Sequence, residues 1–80
     1  MKPVFKVEQS QREHSAQART LWCAQHERCD YVVMDGDDEV HFTDYAQPGR
    51  LQLLRASQPI NSAEALLQFV EQDYQQRFAD

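Results

Sequence analysis

The sequence predicts an α+β fold in which a mainly antiparallel sheet carries two helices on one face, in the order β-α-β-β-β-α. Three observations predict this class. Two segments have apolar residues spaced by three and four, as amphipathic helices do. Three further segments are rich in β-branched and aromatic residues and are separated by turn residues, as in a meander of strands. A chain of 80 residues has the size of one small domain, so residues 1–80 are expected to fold as a single unit.

The first two predicted elements are a short strand and a long helix. Residues 4–8 favour a strand because their apolar side chains alternate. Ser10 and Glu13 have the spacing of a capping box, in which a hydroxyl and a carboxylate satisfy unpaired amides at a helix start. A helix is therefore predicted from 11 to 28. Its apolar stripe consists of Ala18, Leu21, Trp22, Gln25 and Cys29.

The middle of the chain predicts three antiparallel strands joined by two turns. Residues 31–34 (Tyr-Val-Val-Met) give the strongest strand signal in the sequence. An acidic turn with one glycine at 35–38 separates them from a second strand at 39–46. A Pro-Gly turn at 47–50 then leads to a third strand at 51–56.

Two registers compete in the first hairpin. A two-residue loop would set Val33 opposite the charged Asp38. A four-residue loop sets Val33 opposite Val40, and it also sets Tyr31 opposite Phe42. The longer loop is preferred because it pairs apolar residues with apolar residues on one face.

The last predicted element is a helix that follows Asn61 and runs to about Phe78. Asn61 is a favoured N-cap, and Glu64 has the reciprocal position of a capping box. Both helices are expected to bury their stripes on one face of the sheet, with Trp22 between the first helix and the sheet. The stripe of the last helix consists of Ala63, Leu66, Leu67, Val70, Tyr74 and Phe78.

The preferred register divides the meander into two faces. The predicted core face consists of Tyr31, Val33, Val40, Phe42, Leu51 and Leu53. The opposite face consists of Val32, Met34, His41, Thr43, Tyr45, Gln52 and Leu54. A free antiparallel face is normally polar, whereas this one is about half apolar, which is typical of a partner or dimer interface.

Charge narrows the choice of partner. Thirteen acidic and eight basic residues give a net charge of −5, which argues against direct nucleic-acid binding. Residues 29–49 hold six acids and no lysine or arginine. These acids either keep the hairpins soluble or form a negative rim that attracts a basic partner. The segment from Asp30 to Asp44 is expected to form this rim, and its predicted contact residues are Asp37, Asp38 and Glu39.

The sequence predicts a cytoplasmic protein without a membrane partner. No apolar run approaches the roughly 18 residues of a membrane span. The N-terminal residues lack the apolar stretch of a secretory signal. Two cysteines are also too few for a disulfide framework.

Cys23, His26 and Cys29 have the residue types of a zinc site, and they are the candidates for one. On a continuous helix, however, the two cysteines would lie about 120° apart, and no second ligand pair follows in sequence. No metal and no cofactor are therefore predicted. Motifs of hydrolases, metalloproteases and phosphate loops do not occur in the sequence, so no enzymatic activity is predicted.

The sequence thus predicts a small acidic interaction or regulatory protein that binds a protein partner, or a second copy of itself. Binding is expected through the half-apolar sheet face and the acidic hairpins. The predicted contact residues are Val32, Met34, Asp37, Asp38, Glu39, His41, Tyr45 and Leu54.

Two alternative functions stand beside this one. In size and charge the chain is similar to phage-encoded inhibitors of nucleic-acid-binding complexes, the anti-CRISPR type among them. This resemblance implies a basic nucleic-acid-binding protein as the partner. The other alternative is a small metal- or thiol-dependent protein that uses the cysteines and histidine named above.

Overall fold

The structure is a computed structural model that describes residues 4–14 and 17–78. In these residues the chain forms one five-stranded antiparallel sheet, whose strands lie side by side in sequence order, followed by one helix. The elements are β1 (Lys6–His14), β2 (Gln17–Gln25), β3 (Cys29–Met34), β4 (Asp37–Asp44), β5 (Leu51–Ile60) and α1 (Ala63–Phe78).

The predicted helix from 11 to 28 is wrong, because residues 11–14 belong to β1 and residues 17–25 form β2, and the two strands pair with each other. The order is β-β-β-β-β-α, with one helix in the described part of the chain instead of two. The reason lies in β2, where Trp22 and Ala24 pack on the core side while Leu21 and Cys23 point to the other side. Apolar residues on both faces remove the alternation of a half-buried strand, and their spacing then resembles a helical stripe.

The predicted register of the β3–β4 hairpin is confirmed. Tyr31 lies opposite Phe42, and Val32 lies opposite His41. The turn between the strands has a positive φ of 86° at Gly36, a conformation that glycine adopts without a steric penalty. This register places the buried side chains of β3 and β4 on the same face of the sheet.

The predicted face assignment of the third meander strand is wrong by one residue. Gln52 lies opposite Phe42 and Leu54 opposite Val40, so these β5 residues point toward the core. Leu51 and Leu53, predicted as core residues, lie on the face away from α1 and are each 58% exposed. A one-residue change in a connecting loop inverts every side chain of the strand that follows.

The core lies between the sheet and α1. Phe42, Leu66 and Val70 are buried as predicted. Trp22 packs against the edge of the core and donates a hydrogen bond from Nε1 to Oδ1 of Asp35 at 3.0 Å. The predicted position of Trp22 between a first helix and the sheet is wrong, because Trp22 belongs to strand β2 of the sheet itself. The buried core residues are Ala24, Cys29, Tyr31, Val33, Val40, Phe42, Ala56, Ile60, Leu66 and Val70.

The helix begins one residue later than predicted. Oγ of Ser62 accepts a hydrogen bond from the backbone N–H of Ala65 at 3.1 Å, which is the contact of an N-cap residue. Ser62, and not Asn61, therefore caps α1.

A polar network fixes α1 on the sheet. The buried Tyr31 donates its hydroxyl proton to Oδ2 of Asp73 at 2.6 Å. Arg77 donates from Nε to the same oxygen at 3.1 Å and from Nη1 to Oε1 of Gln52 at 3.0 Å. Its guanidinium also lies 4.1 Å from the ring centroid of Phe42. These contacts join α1 to β3, β4 and β5 on the face of the sheet that the helix covers.

Candidate functional site

The face of the sheet away from α1 is the candidate site, and we call it the outer face. Cross-strand pairs define it: Leu21 lies opposite Met34, and Cys23 lies opposite Val32. His41 lies opposite Val32 on one side and Leu53 on the other. No element in the described part of the chain covers this face. The outer face consists of Leu21, Cys23, Val32, Met34, His41, Thr43, Leu51 and Leu53.

The centre of the outer face is concave and largely apolar. It forms an open depression with a volume of about 440 Å³. Leu21, Val32 and Met34 lie on one side of it and Leu51 on the other. His41 and Thr43, on β4, lie between these two sides. Arg19, Asp37 and Glu39 line the depression near the β3–β4 turn. An apolar floor with charged margins is the composition of a protein-binding surface.

The three acids of the rim that are predicted as contact residues each have a basic neighbour. Asp37 Oδ1 lies 3.9 Å from Nη2 of Arg19, and Asp38 Oδ2 lies 3.3 Å from Nη1 of Arg55. Glu39 Oε1 lies 3.9 Å from Nε2 of His41, which forms an ion pair only when the histidine is protonated.

These acidic side chains are between 43% and 52% exposed. Pairs of this kind are weak, typically about 0–1 kcal/mol. The rim is therefore less negative than the sequence indicates, but its carboxylates can exchange partners at low cost.

Tyr45 closes one end of the outer face. Its hydroxyl donates to Oδ2 of Asp30 at 2.8 Å, and Gln25 Nε2 lies 3.5 Å from the same hydroxyl. Its backbone N–H donates to the carbonyl of Arg28 at 2.9 Å. Partial burial and the hydrogen bond to Asp30 raise the pKa of Tyr45, so the phenol stays neutral at physiological pH. Tyr45 is 40% exposed and presents a fixed aromatic edge.

The structure brings most of the predicted contact residues together. Val32, Met34 and His41 lie on the outer face, Asp37 and Glu39 at its margin, and Tyr45 at its end. Asp38 lies beside Arg55 next to the β3–β4 turn. Leu54 is the exception.

Leu54 points toward α1 and packs against the core, so its predicted position on the outer face is wrong. The error is the one-residue inversion of β5 described above. Leu51 and Leu53 take its place on the outer face. Leu21, which the sequence places on a helical stripe, is also an outer-face residue. The alternating pattern Leu51-Gln52-Leu53 was the signal for the two β5 leucines, but it does not say which face is the core.

Cys23, His26 and Cys29 do not converge on one point. Cys23 lies on the outer face, whereas Cys29 is buried on the α1 side of the sheet. His26 follows β2, and its ring centroid lies 5.2 Å from that of Phe5 and 4.8 Å from that of Tyr74. Within residues 4–14 and 17–78 there is no group of three histidine, cysteine, aspartate or glutamate residues that could hold a metal ion.

The two thiols are also poorly reactive. Burial, with the charge of Asp44 as a second cause, raises the pKa of Cys29 to about 11. Burial is also the main cause that raises the pKa of Cys23, and the charges of Asp30 and Glu8 raise it further. Because the thiolate is the nucleophile and the metal ligand, both shifts disfavour metal binding and covalent chemistry.

Comparisons with known proteins add nothing to this geometry. No protein-family model, no curated protein and no solved structure matches the chain. In the described residues, no helix has both the length and the apolar character that crossing a membrane requires. The function is therefore inferred from the outer face itself.

Proposed function

We propose that the chain is a non-enzymatic interaction protein that binds a protein partner through its outer face. The observation that supports this proposal is the uncovered, concave and apolar centre of that face. A free antiparallel face is usually polar because half of its residues meet water. Here five large apolar residues occupy it. They are Leu21, Val32, Met34, Leu51 and Leu53.

The apolar centre can supply a useful part of a binding free energy. Full burial of a leucine side chain is worth about 1.5–3 kcal/mol, and Leu51 and Leu53 are each still 58% exposed. Covering both would therefore contribute on the order of 2–3 kcal/mol. Val32 and Met34, which are partly buried, line the floor against which a partner side chain would pack.

The charge of the chain favours a basic partner. The protein has a net charge of −5, and residues 29–49 hold six acids without a lysine or arginine. Asp37 and Glu39 lie at the margin of the depression and can exchange their weak contacts for a partner's cation. Electrostatic attraction would raise the association rate, and the apolar floor would slow dissociation.

A basic nucleic-acid-binding protein has this chemistry. Inhibition of such a protein, as by a phage-encoded inhibitor of the anti-CRISPR type, is a specific form of the same proposal. We place the protein in the reducing cytoplasm, because Cys23 and Cys29 are free and lie on opposite sides of the sheet.

A photo-crosslinking experiment tests the location of the site. A benzophenone amino acid is placed at Thr43 on the outer face in one variant and at the exposed Gln75 of α1 in another. The proposal expects a discrete crosslinked protein from position 43 only. Equal crosslinking from both positions, or from position 75 alone, would contradict it.

A matched pair of charge changes then tests whether the outer face contacts the partner, which is identified by crosslinking and then purified. Met34→Lys and Gln75→Lys alter the net charge equally, but only the first lies on the outer face. Met34→Lys should weaken binding at least about tenfold, whereas Gln75→Lys should change it less than about twofold.

A second matched pair tests the role of the acids. Asp37→Asn should lower the association rate, with a larger effect at low salt than at high salt. Glu64→Gln removes the same charge from the exposed start of α1 and serves as the control. Equal effects of the two variants on the association rate would mean that Asp37 acts only through the net charge of the protein.

A further inference from the structure

The described sheet has two open edges that differ in their protection. β1 forms one edge and β5 the other. Every second residue of an edge strand directs its backbone N–H and C=O away from the sheet, which makes the edge a template for another strand. β1 carries exposed charges, with Lys6 Nζ 3.1 Å from Oε1 of Glu8. Charged side chains of this kind discourage pairing with another chain.

β5 lacks this protection in its first half. Residues 51–54 carry no charge, and two of them, Leu51 and Leu53, are 58% exposed. The regular pairing of β5 with β4 runs from Leu51 to Arg55 and is interrupted before Ile60. Pro59, which has no N–H to donate, lies in the irregular part. The unprotected template is therefore limited to the first half of the strand.

We propose that a second copy of this chain pairs with this edge, β5 against β5 and antiparallel, around a two-fold axis at Gln52. In this register Leu51 lies opposite Leu53 of the second copy, and Leu53 lies opposite Leu51 of the second copy. All four exposed leucines thus form cross-strand pairs, which is the favourable arrangement for apolar residues on one face. The two outer faces become halves of one continuous sheet surface.

The charges next to the seam are compatible with this register. Residues 50–60 carry Arg50 and Arg55 and no acid. The two-fold axis at Gln52 sets Arg50 opposite Leu54 and Arg55 opposite Gly49, so no like charges lie directly opposite each other. A two-fold axis at Leu53 would instead set Leu51 opposite Arg55 and leave only one leucine pair.

The dimer is expected to be weak and to tighten with salt. A seam of this length belongs to the small class of interfaces, below about 1,200 Å² in total, so we expect a dissociation constant between about 10 µM and about 1 mM. Each copy has a net charge of −5, and salt screens the repulsion between the copies. Binding of a basic partner at the outer face would have the opposite salt dependence.

Sedimentation equilibrium with two charge variants tests the register. One variant carries Leu51→Lys and Leu53→Lys, and the other carries Leu51→Glu and Leu53→Glu. Each variant alone should dimerise at least about tenfold more weakly than the wild type, because like charges then face each other at both positions. An equimolar mixture should restore dimerisation, because every facing pair then has opposite charges. Thermal melts check that both variants fold, as the exposure of the two leucines predicts.

A wild type that stays monomeric up to about 1 mM would overturn the proposal, and so would a mixture that does not restore dimerisation. A third variant, Leu21→Lys with Met34→Lys, changes the outer face away from β5. If it abolishes the dimer as strongly as the β5 variants do, the copies stack face to face and the edge model is wrong. Retention of the dimer by this variant, together with loss of the crosslinked partner, would support both the edge dimer and the outer-face proposal.

Discussion

Leu53 and Leu54 are neighbours of the same residue type that lie on opposite faces of β5, and replacing each by alanine measures which face holds the core. Leu54 packs against the buried cluster, whereas Leu53 is 58% exposed. Leu→Ala substitutions cost about 2–5 kcal/mol in a core. Because Leu54 is only partly buried, we expect about 2 kcal/mol for Leu54→Ala. Leu53→Ala should change the free energy of unfolding by less than about 0.5 kcal/mol.

Urea denaturation followed by tryptophan fluorescence provides the assay, at concentrations too low for dimer formation. In a domain of this size, 2 kcal/mol corresponds to a decrease in the melting temperature of roughly 8–16 °C. The two variants remove the same atoms, so the difference between them reports position alone. A larger effect of Leu53→Ala than of Leu54→Ala would refute the register of β5, and with it the composition of the outer face.

Two further predictions concern buried polar groups. Tyr31→Phe removes the hydroxyl that donates to Asp73 and should lower the free energy of unfolding by about 1–2 kcal/mol. Tyr45→Phe, a partly exposed control, should lower it by less than about 0.5 kcal/mol. Equal losses of the two variants in urea denaturation would contradict the stabilising role of the Tyr31–Asp73 hydrogen bond. The thiol of Cys29 ionises near pH 9 in the unfolded chain, whereas burial raises its pKa to about 11 in the folded protein. The contribution of the neutral thiol to stability is therefore complete below pH 9 and is lost as the pH rises to 11. Melting temperatures measured between pH 7 and 11 should therefore fall less steeply for Cys29→Ala than for the wild type, and parallel curves would contradict the assignment.

The β3–β4 hairpin is the part of the fold whose register follows most directly from the sequence. Tyr31, Val33, Val40 and Phe42 are all apolar and alternate with other residues, so only one register buries them together. The helix stripe around Leu66 and Val70 was equally predictable, because it is apolar on one side and polar on the other. In both cases the local pattern and the tertiary environment agree.

Two parts of the fold were not predictable from local pattern. The first is β1 beyond Glu8. The strand predicted at 4–8 covers only the start of β1, and the polar residues that follow are held by their pairing with β2. The face of β5 depends on the conformation of the loop that precedes it, where Gly49 has a positive φ of 83°. A change of one residue in such a loop inverts the strand, and alternating leucines at Leu51 and Leu53 fit either orientation.

The error in β2 and the candidate site have the same physical origin. The alternating sequence pattern of a half-buried strand requires one polar face. β2 instead has Leu21 and Cys23 on the face that α1 does not cover. β3 likewise presents Val32 and Met34 to that face. Strands that are apolar on both sides are typical of sheets covered by other elements on both faces, but α1 covers only one face here. The residues that hide the strand pattern in the sequence therefore also form the apolar surface that a second layer can bury. In the proposed function a protein partner provides that layer.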